Sequence, residues 1–219
     1  MLDACHAAAG AIGHGNAAPF DARWMTGEEL VRSNPDLWRS AIQHPFLDAI
    51  RDGTLPMSAF RAWLPQDYLF VRNELHFQAG LLRLAPRPAQ AVLAAGLVAL
   101  EAELTWFEAQ AARFAISLQQ EADAVTGRYR DFMEESLSVG WARSITMLWT
   151  LERAYLEAWR GVAPGGGEYR EFVEHWTAPA FAGYVESLEK ALADSGDESA
   201  FRRVAELERD FWDMAWRQT

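Results

Sequence analysis

Three acidic residues occupy positions where helical periodicity predicts a buried apolar side chain. Residues three and four apart share one helix face, and the segment WTLERAYLEAW at 149–159 reads as helix. Glu152 interrupts the apolar stripe of this helix, which comprises Ile145, Leu148, Trp149, Tyr155, Leu156 and Trp159. Asp67 interrupts the stripe of FRAWLPQDYLFV at 60–71 in the same way, and Glu208 interrupts the stripe of FRRVAELERDFWDMAW at 201–216.

Two interpretations of these acids remain open. Burying an unpaired carboxylate is costly, so such a group pairs, is protonated or serves a ligand. Each acid could lie at the edge of its stripe, or be satisfied by a buried Arg or a helix terminus. Alternatively, the acids could accept N–H groups of a flat, basic, nitrogen-rich ligand on which the neighbouring aromatic rings stack. Glu157 gives the contrast, because it lies off the stripe and four residues after Arg153, as expected of a solvated ion pair.

Other chemistries have weaker support in the sequence. The single cysteine, Cys5, lies in the N-terminal region, away from the patterned helices. His44, His76 and His175 lie on three different predicted helices, and the Glu-x-x-His spacing of di-iron bundles is not found. The triplet GGG at 165–167 lacks the residues that flank a phosphate-binding loop. We therefore expect neither a metal nor a cofactor.

The elements that carry the acids are predicted to be long helices. Helical patterning runs from Met57 to about Leu84 and is interrupted only by Pro65, two residues before Asp67. A proline inside a helix removes one backbone hydrogen bond and bends the helix, so Pro65 could re-aim Asp67 or be a tolerated bend around the core. Further helices are predicted at about 88–116, 119–138 and 141–160, and the loop GVAPGGGE follows at 161–168.

The remaining elements are also helical by pattern. Thr26 and Glu29 form a capping box that begins a short helix, and a second helix is predicted from Pro35 to about Arg51. Helices at about 168–176, 179–193 and 197–217 complete the chain, and the sequence has no period-2 alternation long enough for a strand. We expect an all-α, single-domain bundle of seven to nine helices at 24–219, preceded by a flexible tail at 1–23.

Composition limits the class of partner. The chain has 219 residues, 50% of them hydrophobic, and a formal net charge of −11. An acidic protein without a basic patch is not expected to bind nucleic acid or an anionic membrane surface. The N-terminus lacks the basic and apolar regions of a signal peptide, and the longest apolar run, at 91–100, is too short to span a bilayer. We therefore expect a cytoplasmic location.

Three segments of the chain resemble a known family. HPFLDAIRDGTLPMSAFRAWLPQDYLF at 44–70 resembles the first signature of the TenA/thiaminase-2 family, LEAEL at 100–104 resembles its E-A-E segment, and ELERDFWDMAW at 206–216 resembles its closing motif. The resemblance runs in the expected order from His44 to Trp216. It implies the haem-oxygenase-like all-α fold.

The resemblance also implies roles for individual residues. Asp67 matches the acid that binds the pyrimidine amine, Glu208 the C-terminal catalytic acid/base, and Phe211 the aromatic residue beside it. Phe70 lies where many members carry a Tyr, and Trp176 lies approximately where another pocket Tyr is found. The aromatic neighbours of Glu152 are predicted to contact the substrate as well, namely Trp149 and Tyr155.

One position departs from the Cys-containing members. Their nucleophilic Cys aligns with Met147 and their following Tyr with Leu151, give or take a residue. The segment around Glu152 instead resembles the Cys-less branch, in which a Glu of this helix takes over the role of the Cys. We therefore expect Glu152 to be catalytic together with Glu208.

The function that the resemblance implies is hydrolysis in thiamin salvage. The expected reaction cleaves a C–N bond of an aminomethyl- or formylaminomethyl-pyrimidine, and the expected assembly is a homo-oligomer, a tetramer, with surface aromatic residues at the interface. Two alternatives remain. One is a pyrimidine-binding or regulatory protein without turnover, and the other is an enzyme similar to those that make quinone cofactors on the same fold.

Overall fold

The computed structural model describes residues 24–217, and within that range the chain is helical, with no β-strand. Ten α-helices follow one another: α1 (Gly27–Ser33), α2 (Pro35–Ile42), α3 (Pro45–Asp52), α4 (Met57–Leu84), α5 (Arg87–Arg113), α6 (Ala124–Val139), α7 (Trp141–Gly161), α8 (Arg170–Trp176), α9 (Pro179–Leu192) and α10 (Glu198–Trp216). A short 3-10 helix, Gly167–Tyr169, precedes α8. The predicted all-α class is confirmed, whereas the predicted tail at 1–23 lies outside the described residues.

The prediction of a single helix from Pro35 to Arg51 is wrong. The chain leaves helical geometry at Gln43, and His44 is also extended, with φ and ψ of −154° and 149°. A residue that precedes proline is disfavoured in the α region, and Pro45 follows His44. The His44 ring caps the new helix, because its Nδ1 accepts a hydrogen bond from the Phe46 amide at 3.1 Å. This break turns α3 so that Phe46 stacks on Trp212 of α10.

The helix predicted from residue 119 begins only at Ala124, because the preceding segment is held against α4 in a non-helical form. Pro65 does not end α4, and the next residue, Gln66, donates from Nε2 to the Glu121 carbonyl at 2.9 Å. Its Oε1 accepts from the Asp123 amide and the Thr126 hydroxyl, both at 2.8 Å. These bonds fix the start of α6 beside the turn of α4 that carries Asp67.

The core is largely aromatic and lies between the helices that carry the acids. Trp63 of α4 is fully buried and contacts the rings of Phe46, Phe60, Phe107, Trp159, Phe172 and Trp176. Helix α4 packs on α5, α6, α7 and α10, and α7 packs on α9 and α10. Burying rings of this size stabilises the bundle by roughly 1.5–3 kcal/mol each.

The prediction that aromatic residues remain on the surface for an interface is wrong. Among the described residues the exposed large hydrophobic side chains are Trp24, Leu84, Val98 and Val139. Among the described helices, α5 is the one that by length and composition alone would be long and apolar enough to cross a membrane. Its inner side packs on α4 and α9, and its sequence includes Glu101, Glu103 and Glu108.

Candidate active site

The three acids that interrupt the apolar stripes line one cavity. Asp67 of α4, Glu152 of α7 and Glu208 of α10 all face it, and each is buried, with 3%, 7% and 6% of its surface exposed. About 530 Å³ of empty space lies between the walls and the mouth of the cavity. The predicted convergence of the carboxylates is therefore observed, whereas their catalytic roles remain a prediction.

Two further carboxylates line the same cavity and were not predicted to be site residues. Glu74 of α4 is 3% exposed, and Glu103 of α5 is partly buried. Both also lie on an apolar stripe of a helix, which is the pattern that identified the other three acids. Glu74 lies seven residues after Asp67 and therefore on the same helix face, and Glu103 interrupts a stripe formed by Leu93, Gly96, Leu100 and Phe107.

Neutral donors, and not buried cations, form hydrogen bonds with three of these five carboxylates. Tyr155 donates to Asp67 Oδ2 at 2.6 Å, and Trp176 Nε1 donates to Glu103 Oε1 at 2.7 Å. Tyr129 donates to Glu208. Within residues 24–217, no Lys, Arg or His forms an ion pair with a cavity carboxylate. The interpretation in which a buried Arg satisfies the acids is therefore wrong.

Glu157 behaves as its position off the stripe predicts. Its carboxylate pairs with Arg153 in the same helix and accepts from Trp38 Nε1 at 2.9 Å. Arg153 also lies 3.5 Å from carboxylates of Glu28 and Glu189. Helix α7 thus carries one carboxylate paired with a cation on its outer side and one aimed into the cavity, which makes Glu157 a matched control for Glu152.

Burial without cations raises the pKa of every carboxyl group in the cavity. Desolvation raises the pKa of Glu208 to about 7, although the Tyr129 hydroxyl opposes the rise, and raises the pKa of Glu103 to about 7 against the hydrogen bond from Trp176. Desolvation likewise raises the pKa of Asp67 well above its usual range, opposed by Tyr155 and reinforced by Glu103 and Glu208. At neutral pH the site therefore holds both protonated and ionised carboxyl groups.

We expect the free energy of unfolding to fall as pH rises from about 4 to about 8, partly because of Glu208. Its pKa is higher in the folded than in the unfolded chain, so its contribution is fully present below pH 4 and is lost as pH rises through about 7. The loss for this group amounts to roughly 3 kcal/mol once it is ionised in both states. Urea unfolding of wild type and Glu208→Gln across this range measures it.

The difference in unfolding free energy between the two proteins isolates the contribution of Glu208. His44 and His175, whose pKa values are lowered by burial, contribute to both proteins and make the free energy of unfolding rise with pH below about 6.5. Gln at 208 keeps an acceptor for the Tyr129 hydroxyl but does not titrate. A pH slope that is the same in both proteins would contradict the raised pKa of Glu208.

The predicted aromatic residues lie around the cavity, with one exception. Phe70, Tyr155 and Trp176 line it, and Phe211 lines a smaller adjoining pocket beside Glu208. The Phe70 ring lies 4.8 Å from that of Tyr129 and 6.1 Å from that of Phe211, in edge contacts. These rings give the carboxylates apolar walls suited to a flat ligand.

Trp149 is the exception, and its prediction as a substrate-binding residue is wrong. It is fully buried, stacks on Phe201 of α10 at 6.4 Å and contacts Gly27 of α1 so closely that a Cβ there would lie 2.4 Å from its ring. At about 100° per residue, Leu151 and Tyr155 lie on one side of Glu152 around α7 and Trp149 on the other. The apolar stripe of α7 therefore covers a wider arc of the helix surface than the part that lines the cavity.

The same geometry bears on the position predicted for the absent Cys. Met147 is fully buried and does not line the cavity, whereas Leu151, one turn later, does. A nucleophile must face the bound ligand, so a side chain at Met147 is not placed for that role. Leu151 and Tyr155 are the residues of this part of α7 that line the cavity beside Glu152.

Gly96 and Tyr184 line the cavity, and Gln78 packs against both. Tyr184 of α9 donates to Gln78 Oε1 at 3.0 Å, and Gln78 Nε2 donates to the Leu93 carbonyl at 2.8 Å. Gly96 of α5 lets both side chains approach, because a Cβ at that position would lie 2.1 Å from Gln78 Nε2 and 2.6 Å from the Tyr184 hydroxyl. No sequence signal linked these residues before the helices were packed.

We expect Gly96→Ala to weaken ligand binding by displacing Tyr184 from the cavity wall. Overpacking of this kind also destabilises a protein by about 1–3 kcal/mol. Gly183→Ala is the control, since it lies next to Tyr184 in the chain but has nothing within 4 Å of the added Cβ, so a small gain in stability is expected from its higher helix propensity. Melting curves and ligand titration of both variants test this, and equal affinities would contradict it.

None of the three histidines within residues 24–217 lines the cavity. His44 lies 3.1 Å from Asp213, and His175 stacks on Trp106 with ring centres 4.0 Å apart. Over the described part of the chain, no group of three or more His, Cys, Asp and Glu side chains is arranged to hold a metal ion.

Taken together, the fold and the cavity define a helical-bundle protein with an acidic, aromatic site for a small ligand rich in N–H groups. Comparison with known proteins makes the class specific. The family model described as TENA/THI-4/PQQC family matches residues 33–218. The chain belongs to this family, and the resemblance seen in its sequence is confirmed.

Two curated relatives match along most of their length. The chain is 30% identical over 210 residues to a soybean (Glycine max) protein named "Probable bifunctional TENA-E protein", covering 86% of this chain and 92% of the relative. It is 26% identical over 213 residues to the aminopyrimidine aminohydrolase of Halalkalibacterium halodurans, covering 86% and 94%.

Solved structures show the same architecture. A TenA homologue from Pyrococcus furiosus superimposes with a TM-score of 0.83 at 32% identity, over 87% of this chain and all of that one. A TenA homologue from Pyrococcus horikoshii gives a TM-score of 0.80 at 23% identity, over 89% and 100%. The fold is therefore the haem-oxygenase-like all-α fold of the TenA proteins.

Proposed function

We propose that the protein is a hydrolase of thiamin salvage that cleaves a C–N bond of an aminomethyl- or formylaminomethyl-pyrimidine. The observation that carries the proposal is the cavity itself, in which five carboxyl groups and several aromatic rings meet without a cationic side chain in the lining. The names of the two curated relatives support the same chemistry at the level of the family.

The roles follow from the position of each carboxyl group. For an aminomethyl substrate, water adds to the methylene carbon and the amine leaves as ammonia, so a proton must reach the leaving nitrogen and another must leave the water. Glu208, with a pKa of about 7, is the general acid on the leaving nitrogen. Glu152 takes the proton from water or attacks the carbon itself, and Asp67, held by Tyr155, orients the ring through its N–H groups.

The test is turnover by the purified full chain. Aminomethyl- and formylaminomethyl-pyrimidines are incubated with wild type and with Asp67→Asn, and ammonia, formate and the pyrimidine product are measured by chromatography. Formation of a pyrimidine product by wild type, much reduced by Asp67→Asn, is the expected result. No product from either compound would contradict the proposal.

The same samples separate the alternative functions. A pyrimidine that raises the melting temperature of the wild type without being consumed would indicate a binding or regulatory protein. Oxidation of a ring substrate with uptake of dioxygen would indicate chemistry of the quinone-forming kind. Binding to nucleic acid or to a membrane is not expected of a chain with a net charge of −11, and a cytoplasmic location remains a prediction.

We also propose that the chain forms a homo-oligomer, a tetramer. The exposed face of α5 supports this, because Ala91, Ala94, Ala95, Val98 and Ala102 present small apolar side chains to solvent, and Val98 is 73% exposed. Closed symmetry is usual for soluble oligomers. Light scattering at micromolar concentration should report about four chains, and Val98→Glu should lower that mass. A monomeric wild type would contradict the assembly.

A further inference from the structure

The carboxyl groups of Glu74 and Glu152 meet inside the cavity. Glu74 comes from the third turn beyond Pro65 in α4, and Glu152 comes from the middle of α7. Both line the cavity, both are less than 10% exposed, and their side chains are within hydrogen-bonding distance of each other. The pair links α4, whose Asp67 is proposed to bind the pyrimidine ring, to α7, which carries the proposed catalytic Glu152.

Two buried carboxylates cannot remain in contact when both are ionised. Ionised carboxylates are acceptors only, and like charges this close disfavour each other strongly. No described side chain relieves the contact, because the buried Oε1 of Glu74 has no hydrogen-bond donor among residues 24–217. One proton must therefore lie between the two groups.

We infer that Glu74 is a positioning residue that donates a carboxylic O–H hydrogen bond to Glu152, so that the pair holds one proton and Glu152 is the ionised member. This inference rests on the proposed function of Glu152 and adds a residue to it. Its consequence is that Glu152 is fixed in the apolar cavity and loses its proton at a lower pH than a lone buried acid would.

The surroundings of the pair assign the proton to Glu74. Desolvation and the contact with Glu152 both raise the pKa of Glu74 well above its usual range. Burial raises the pKa of Glu152 to about 8, and the hydrogen bond from Glu74 opposes this rise, so Glu152 is the member that ionises first. The other titratable groups facing the pair are all acidic or phenolic, and come from six helices: Asp67, Glu103, Tyr129, Tyr155, Tyr184 and Glu208. With no cation present, a neutral donor is the available means of stabilising an ionised Glu152.

The experiment compares Glu74→Leu, which removes the donor, with Glu74→Gln, whose amide N–H replaces it. The acidic limb of the kcat/KM profile should move to higher pH by at least about one pH unit in Glu74→Leu, and should stay near its wild-type position in Glu74→Gln. Leu81→Ala, in the fully buried part of the same helix but outside the cavity lining, should lower the melting temperature without moving the limb. An unmoved limb in Glu74→Leu, or an equal shift in both Glu74 variants, would overturn the inference.

A second measurement does not depend on turnover. Carboxyl ¹³C signals of selectively labelled Glu are followed with pH, and the Glu152 signal is identified by its loss in Glu152→Gln. In wild type this signal should titrate in two steps, because the pair loses two protons, and in Glu74→Gln it should titrate in one step. A single step in both proteins would overturn the shared proton. Two steps in wild type without hydrolysis of any pyrimidine would overturn the proposed function and leave the shared proton standing.

Discussion

Glu152→Gln is expected to hydrolyse an aminomethylpyrimidine at least about a hundredfold more slowly than the wild type, while it folds normally. General acid–base groups contribute about 10²–10⁴-fold, and a nucleophilic role would make the loss larger. Gln preserves the shape of the side chain and its contact with Glu74, and it removes an ionisable group from an apolar cavity. Replacing a buried charge by a neutral group of the same shape is often neutral or stabilising, so the melting temperature should hold or rise.

Glu157→Gln is the matched control for this variant. It makes the same chemical change in the same helix, but at the carboxylate that pairs with Arg153 and Trp38 outside the cavity. We expect its melting temperature to fall slightly and its activity per folded molecule to stay near the wild-type value. If Glu152→Gln behaves like Glu157→Gln, with lower stability and normal turnover, Glu152 is a structural residue and has no catalytic role.

Glu208→Gln is expected to lower kcat for the aminomethyl substrate by about a thousandfold, within the range of general acids. A primary amine is a poor leaving group unless it is protonated, and Gln at 208 accepts the Tyr129 hydrogen bond but supplies no proton. The alkaline limb of the wild-type profile should reflect loss of the Glu208 proton near pH 7, and this limb should be absent from the residual activity of the variant.

The leaving group separates a general acid from a binding residue. In a pyrimidinylmethyl compound that carries a quaternary ammonium substituent, the leaving group departs as a neutral amine and needs no proton. Its cleavage should be much less sensitive to Glu208→Gln than cleavage of the primary amine. Glu206→Gln, in the same helix but paired with Arg203 at the surface, serves as the control. Equal losses with both substrates would show that Glu208 binds the ring and does not protonate the leaving group.

Much of the site could be predicted because local periodicity fixes which helix face a residue occupies. Asp67, Glu152 and Glu208 each interrupt an apolar stripe, and a stripe must be buried whichever partner covers it. The same argument applied to every predicted helix would also have identified Glu74 and Glu103, which lie on the stripes of α4 and α5. The break at His44 was equally accessible, because proline restricts the residue before it.

Other features depend on how the helices pack. Trp149 and Tyr155 flank Glu152 on one stripe, yet only Tyr155 faces the cavity. Tyr155 meets Asp67 of α4 and Trp176 of α8, whereas Trp149 packs on Gly27 of α1 and Phe201 of α10. Gln78, Tyr184 and Gly96 come from three different helices and meet only in the packed bundle. None of the three residues stands out in its own segment of sequence.

The sequence by itself therefore determined the all-α class, the helix faces and the presence of buried acids, because these depend on neighbours three and four residues away. The tertiary structure decided which acids meet and what state they adopt. Glu74 and Glu152 are 78 positions apart in the chain, and their shared proton exists only because α4 and α7 bring two carboxyl groups together in a cavity whose described lining has no cationic side chain. Desolvation and like-charge repulsion act through space, so the pKa of each group is a property of the packed helices and not of its own segment.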